Sequence, residues 1–137
     1  MTTVPTHQLL HPAHWKPAVG YANGMMATGR TIYVGGQIGW NGGQTFESDD
    51  FVAQVHQALT NIVEVLQEAG AGPQHLVRLT WFVVDKQEYL ARLKEVGAAY
   101  REVLGKHFPA MTMVQVADLI EDRARVEIEA TAVVPGD

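Results

Sequence analysis

The chain of 137 residues contains no cysteine and a single serine, Ser48. The first absence excludes disulfide bridges, thiolate catalysis and cysteine-based zinc sites, and suits a reducing compartment. The second leaves little room for a serine nucleophile, because Ser48 stands in "ESDD", where a helix begins. Basic residues are few: ten Lys and Arg against fifteen Asp and Glu, for a net charge of −5. They are also scattered, so no clustered basic face meets a phosphate backbone and no nucleic-acid partner is expected. No apolar run approaches the roughly 20 residues of a membrane-spanning helix. The opening "MTTVPTHQLLHPAHW" lacks the basic and apolar segments of a secretory signal. The expectation is a cytoplasmic protein with no membrane partner. With no repeat, linker or low-complexity tract, residues 1–137 are expected to form one domain, of which 1–14 is an extended N-terminal arm.

What is present is enough apolar surface for a core: 47% of the residues are hydrophobic and 18% charged. In "ESDDFVAQVHQALTNIVEVLQEAGAGP" the residues Val52, Val55, Leu59, Ile62, Val63 and Leu66 recur at helical spacing. Ser48 or Asp49 caps the start of that helix, and Gly70 ends it. A second helix runs from "DKQEYL" to Gly105, with Asp85 and Glu88 spaced as a capping box and a stripe of Leu90, Leu93, Val96, Tyr100 and Val103 or Leu104. Strands are read in "TIYVGGQIG", "HLVRLTWFVV", "FPAMTMVQV" and "ARVEIEATAVV". The last has an unbroken period of two, Ala124, Val126, Ile128, Ala130 and Ala132 against Arg125, Glu127, Glu129 and Thr131. "GYANGMMATGRTIYV" reads as a hairpin about Gly29 and Arg30. The sum is an α+β fold, one β-sheet with two helices on one face. The other face needs a cover. It is expected to carry Met111, Met113 and Gln115 from "FPAMTMVQV", with self-association covering it.

Several motifs carry less than they suggest. "GGQIGWNGG" is no phosphate cradle, since acids rather than a helix and a lysine follow the glycines. His7, His11 and His14 form HxxxHxxH, but Pro5 and Pro12 disfavour the helix that would align three imidazoles, and no metal site is expected. Glu127 and Glu129 share a strand face with Arg125; taken alone the segment reads as a solvated outer face, whereas covered by another subunit such a carboxylate is partly desolvated and able to hold a water.

Taken together, "YVGGQIG", the helix ending in "AGAGP", "VRLTWFVVD", and the terminal strands "FPAMTMVQVADL" and "VEIEATAV", read as a pair, resemble the Rid family (RidA or YjgF type, once called L-PSP endoribonucleases) over residues 15–134. The resemblance implies a chorismate-mutase-like fold, a homotrimeric barrel with a small-molecule cleft between neighbouring subunits, and no metal or organic cofactor. It implies hydrolysis of enamines and imines such as 2-aminoacrylate to a keto acid and ammonia. Carried over residue by residue, Glu127 is the water-positioning catalytic residue, and Tyr21, Gly36 and Gln37 line the substrate site, with Gly35 where the family has serine. The arginine that forks the substrate carboxylate falls on Met111, with Met113 beside it. A thioether supplies only dispersion and soft apolar contact where a guanidinium would form a bidentate pair. Arg125 and Lys16 are the candidate substitutes. Two functions follow: a deaminase-like hydrolase of an imine or enamine other than 2-aminoacrylate, with Trp15, Trp40, Met111 and Met113 available for a more apolar pocket, or a non-catalytic small-molecule-binding or sensing trimer. Ribonuclease action finds no basic patch to support it.

Overall fold

The alternation between Ala124 and Ala132 predicts a strand buried on one face. In the computed structural model, which describes residues 7–136, that strand lies inside the sheet. The elements are β1 (Gln8–Leu10), β2 (Gly24–Met26), β3 (Arg30–Ile38), α1 (Phe51–Gln67), β4 (Leu76–Val83), α2 (Lys86–Ala91), α3 (Leu93–Leu104), β5 (Ala110–Gln115) and β6 (Val126–Val134). The main sheet has the order β3-β6-β4-β5; β6 is antiparallel to both its neighbours, and β5 is parallel to β4. The two terminal strands are therefore not paired with each other, because β4 lies between them.

The α1 stripe packs on this sheet. Val55, Leu59, Ile62 and Leu66 are fully buried together with Val126, Ile128, Ala130 and Ala132. Burying each of the large side chains stabilises the fold by about 1.5–3 kcal/mol. Asp50, one residue beyond the expected caps, closes the start of α1 by accepting a hydrogen bond from the Ala53 amide at 3.0 Å. Gly70, at φ 69°, turns the chain away after α1.

The second helix is broken in two. Arg92, at φ −129° and ψ 31°, interrupts it, and its guanidinium reaches both Asp50 and Glu95. Asp85 does cap α2 through the Gln87 and Glu88 amides, but the Glu88 carboxylate pairs with Arg125 at 3.4 Å instead of completing a capping box. Of the expected stripe, Val96, Tyr100 and Leu104 are buried, whereas Leu90 and Leu93 remain half exposed. Tyr100 stacks between Trp81 and Phe108, with ring centroids 6.4 and 5.2 Å away. Burial raises the pKa of the Tyr100 hydroxyl, and it donates to the His107 carbonyl.

The hairpin about Gly29 is not formed as expected. β2 pairs with β1, and part of the N-terminal arm is thereby an ordered strand. Gly29 is needed for another reason: at φ 150° it lies against the backbone of Val134, where a Cβ has no space.

Register also decides the face of the methionines. Met111 lies beside Leu79, Met113 beside Trp81 and Gln115 beside Val83, all three partners being buried beneath the helices. The expectation that Met111, Met113 and Gln115 look away from the helices is thus overturned. The bare face carries their alternates, Thr112 and Val114, with Phe82, Glu127, Glu129 and Tyr33.

Candidate active site

Glu127 is set in place by two buried polar side chains that hold the ends of its strands. Gln54 of α1 donates from Nε2 to the Ser48 and Arg123 carbonyls and accepts from the Arg125 amide at 2.8 Å, fixing the entry to β6. Asn61 donates from Nδ2 to the Ile38 and Trp40 carbonyls at 3.1 and 2.8 Å, fixing the exit from β3. Between these anchors β3 carries a bulge. Val34 pairs with Ala130 and Gln37 with Ile128, so Gly35 and Gly36 together oppose Glu129. The bulge brings the Gly36 backbone against the Glu127 side chain so closely that any Cβ there would collide with the carboxylate.

The half-buried Glu127 carboxylate has no ion pair and no hydrogen bond among the described residues. It is shared by two adjoining depressions of about 270 and 360 Å³, one with Phe82 and Glu129, the other with Gln37 and Trp40. Gly36 and Ile120 belong to both, and Ile120 is 96% exposed, an apolar side chain standing free at the rim. Arg125 does not neutralise Glu127: its Nη1 pairs with Glu88 and its Nε donates to the Asp49 carbonyl at 2.7 Å. Lys16 is exposed and lines neither depression.

A second cavity, about 740 Å³, lies on the helix side at the β5 edge. Met111 and Met113 form its strand wall and α3 the opposite wall, with Tyr21 at one side. Tyr21 is held there by its successor, since the Ala22 amide donates to the Pro109 carbonyl at 3.0 Å and Ala22 bridges to Ala110. The structure therefore gathers the expected site residues into two groups. Gly36, Gln37 and Glu127 stand together, as do Tyr21, Met111 and Met113, and the sheet separates the groups.

Four residues around these cavities escaped sequence reasoning: Trp81, Gly97, Arg101 and Ile120. Trp81 sits at a core position of an alternating strand, which hides the fact that it also lines a cavity. Gly97 did leave a signal, because a glycine in a helix interior costs about 1 kcal/mol relative to alanine and needs a reason.

The histidines of the arm do not converge. His7 Nε2 donates to the His75 carbonyl, His11 contacts the Trp15 carbonyl and Asn23, and His14 is exposed. No group of three metal-ligating side chains occurs among the described residues. None of the described helices is long and apolar enough to cross a membrane.

A mixed four-stranded sheet with its helices on one face is an α+β architecture shared with solved Rid-type structures. The chain belongs to the Rid (YjgF) family, and the model of the endoribonuclease L-PSP family matches its residues 12–134. It is similar to YyfB, a conserved Rid-family protein from Yersinia pestis, with a TM-score of 0.84 and 31% identity over 94% of this chain and 99% of that one. A goat (Capra hircus) protein described as 2-iminobutanoate/2-iminopropanoate deaminase is 34% identical over 128 residues, 92% of this chain and 89% of its own. A RutC family protein of Haemophilus influenzae is 32% identical over 92% of this chain and 96% of its own.

Proposed function

We propose that the chain is a cofactor-independent, deaminase-like hydrolase of imines or enamines, acting in a cleft between two copies in a homotrimer. The observation that carries this reading is the Glu127 carboxylate, half buried against the Gly36 bulge and engaged by no cation. A carboxylate so placed accepts a hydrogen bond from a water and turns the water's lone pair toward an electrophilic carbon. Attack on the C=N carbon, with one water proton passing by way of Glu127 to nitrogen, gives a carbinolamine; its hydroxyl proton follows the same route to nitrogen, and ammonia leaves as the carbonyl forms. The similarity to proteins described as iminobutanoate and iminopropanoate deaminases supports the same chemistry.

Two copies are required because one chain cannot bring its own halves together. Glu127 and Met111 occupy opposite faces of the sheet, on strands separated by β4. The bare face offers the means of association: Tyr33 is 80% exposed and Val114 42%, apolar surface that a neighbouring copy buries. In that arrangement Gly36, Gln37 and Glu127 of one copy face Tyr21, Met111 and Met113 of the next. Met111 offers a small carboxylate no charge, so 2-aminoacrylate is a poor substrate and a larger, more apolar one is preferred.

The test is Glu127→Gln, assayed as keto-acid release from imines generated in situ by an amino-acid oxidase. Expected are an unchanged trimer in sedimentation and a loss of at least about 100-fold in turnover. Equal turnover by Glu127→Gln and wild type would remove the water-positioning role. A monomer at micromolar concentration would remove the shared cleft.

A further inference from the structure

The cavity beneath α3 lacks a cation on its strand wall, yet it has one on its helix wall. Arg101 lines the cavity opposite Met111, and among the described residues its guanidinium has neither an ion pair nor a hydrogen bond. Five of the six arginines can be compared directly. Arg92, Arg123 and Arg125 are each paired with a carboxylate, while Arg30 and Arg78 lie on the sheet and line neither this cavity nor the depressions at Glu127. Arg101 alone of the arginines combines an open charge with a cavity wall.

Its seat is built. A Cβ on Gly97 would lie 3.2 Å from Arg101 Nη1, tighter than ordinary packing, so the glycine one turn back gives the guanidinium room to lie along α3. Gly97 lines the same cavity. The glycine leaves the guanidinium that space at a cost of about 1 kcal/mol of helix stability relative to alanine. Beneath it, Trp81 is 2% exposed and its indole Nε1 has no acceptor among the described residues. That nitrogen is itself covered, so Trp81 contributes apolar ring surface to the cavity, beside the Tyr100 ring and two methionines that adapt to ligand shape.

We infer that Arg101 supplies the anion contact that Met111 cannot, and that the cavity takes carboxylates bearing a bulky apolar or aromatic side chain. The carboxylate pairs with the guanidinium, and the side chain packs on Met111, Met113 and Trp81. Moving the cation from the strand to the helix wall selects against small ligands, which cannot touch both walls. The inference deepens the hydrolase reading by naming the substrate class, but it concerns binding and is tested by binding.

Calorimetric titrations with phenylpyruvate, pyruvate and the neutral ketone 1-phenylpropan-2-one decide it, on wild type and on Arg101→Gln. Phenylpyruvate is expected to bind wild type at least tenfold more tightly than pyruvate. Arg101→Gln weakens phenylpyruvate at least tenfold and leaves the neutral ketone unchanged, and Arg101→Lys recovers part of the loss. Arg101 is exposed and engaged by no partner, so the variant keeps its fold, which circular dichroism verifies. Equal phenylpyruvate affinity in wild type and Arg101→Gln overturns the inference, as does no binding of phenylpyruvate to wild type. If binding follows Arg101 while no imine is hydrolysed, the hydrolase reading falls and the inference stands. Imine hydrolysis with phenylpyruvate binding indifferent to Arg101 has the opposite meaning.

Discussion

The two halves of the proposed site are built by opposite means. Around Glu127 the shape comes from backbone: a bulge, two glycines, and strand ends pinned by Gln54 and Asn61. Around Met111 it comes from side chains: two thioethers, a stacked tryptophan and tyrosine, and a guanidinium laid along a helix. A backbone-shaped half holds one carboxylate in one place and tolerates little change. A half shaped by side chains changes its ligand by changing residues, and the fold is indifferent to which ones. On the proposed function, that division gives chemistry to the first half and specificity to the second.

The sharpest way to break the comparison is at Gly36. A methyl group there collides with the end of the Glu127 side chain and not with backbone. The carboxylate can swing aside, so Gly36→Ala is expected to change the melting temperature by no more than about 3 °C. Displacing the carboxylate by about 1 Å is nevertheless expected to lower turnover about 100-fold. Loss of folding in step with activity, followed by thermal melts, would show that the bulge serves stability alone.

The second half is sharpened by Met111→Arg. A guanidinium on the strand wall restores a bidentate partner for a small carboxylate, and turnover of 2-aminoacrylate is expected to rise about tenfold or more. The variant adds charge at a position packed against the core, so sedimentation and a thermal melt accompany the assay. A folded trimer that gains nothing would mean that Tyr21 and Glu127 are not aligned with that wall.

Much of this was legible in the sequence. The alternation through "VEIEATAV" named Val126, Ile128, Ala130 and Ala132, the β6 residues of the main core, because a buried strand leaves a period of two; Val133, buried on the other face, breaks that period. The stripe of α1 named Val55, Leu59, Ile62 and Leu66 at helical spacing but passed over the buried Phe51 and Ala58. Motif resemblance then placed Glu127, Gly36 and Gln37, and the structure does set those three side by side. The face of "FPAMTMVQV" was not legible. Alternation tells which residues share a face but not which face meets the helices; parallel pairing with β4 decides that, and pairing is a tertiary fact. Arg101 was missed for a similar reason. On a helix an arginine beside the apolar stripe reads as solvated surface until the neighbouring wall is known. The break at Arg92 depends on Asp50, 42 residues away, which no local rule contains.

The smallest expected effect concerns neither half but the histidines that tie the arm to the sheet. His75 Nδ1 accepts from the Gly72 amide at 3.1 Å, so protonation there replaces an acceptor with a second donor and breaks the bond. Burial, with His7 and His107 nearby, holds the His75 pKa below its ordinary value of 6.5. A basic group with a depressed folded pKa binds fewer protons folded than unfolded. Its stabilising contribution is therefore complete above about pH 6.5 and is lost as pH falls through the lower, folded value. His75→Gln cannot titrate. It is expected to melt lower than wild type at pH 7.5, by about 2 °C, with the gap narrowing toward pH 5 as the wild type loses its advantage. That window lies above the range in which Asp50 and Glu95, held low by Arg92, take up protons. Parallel melting curves for the two proteins from pH 7.5 to 5 would show that His75 packs at this site without its charge state mattering.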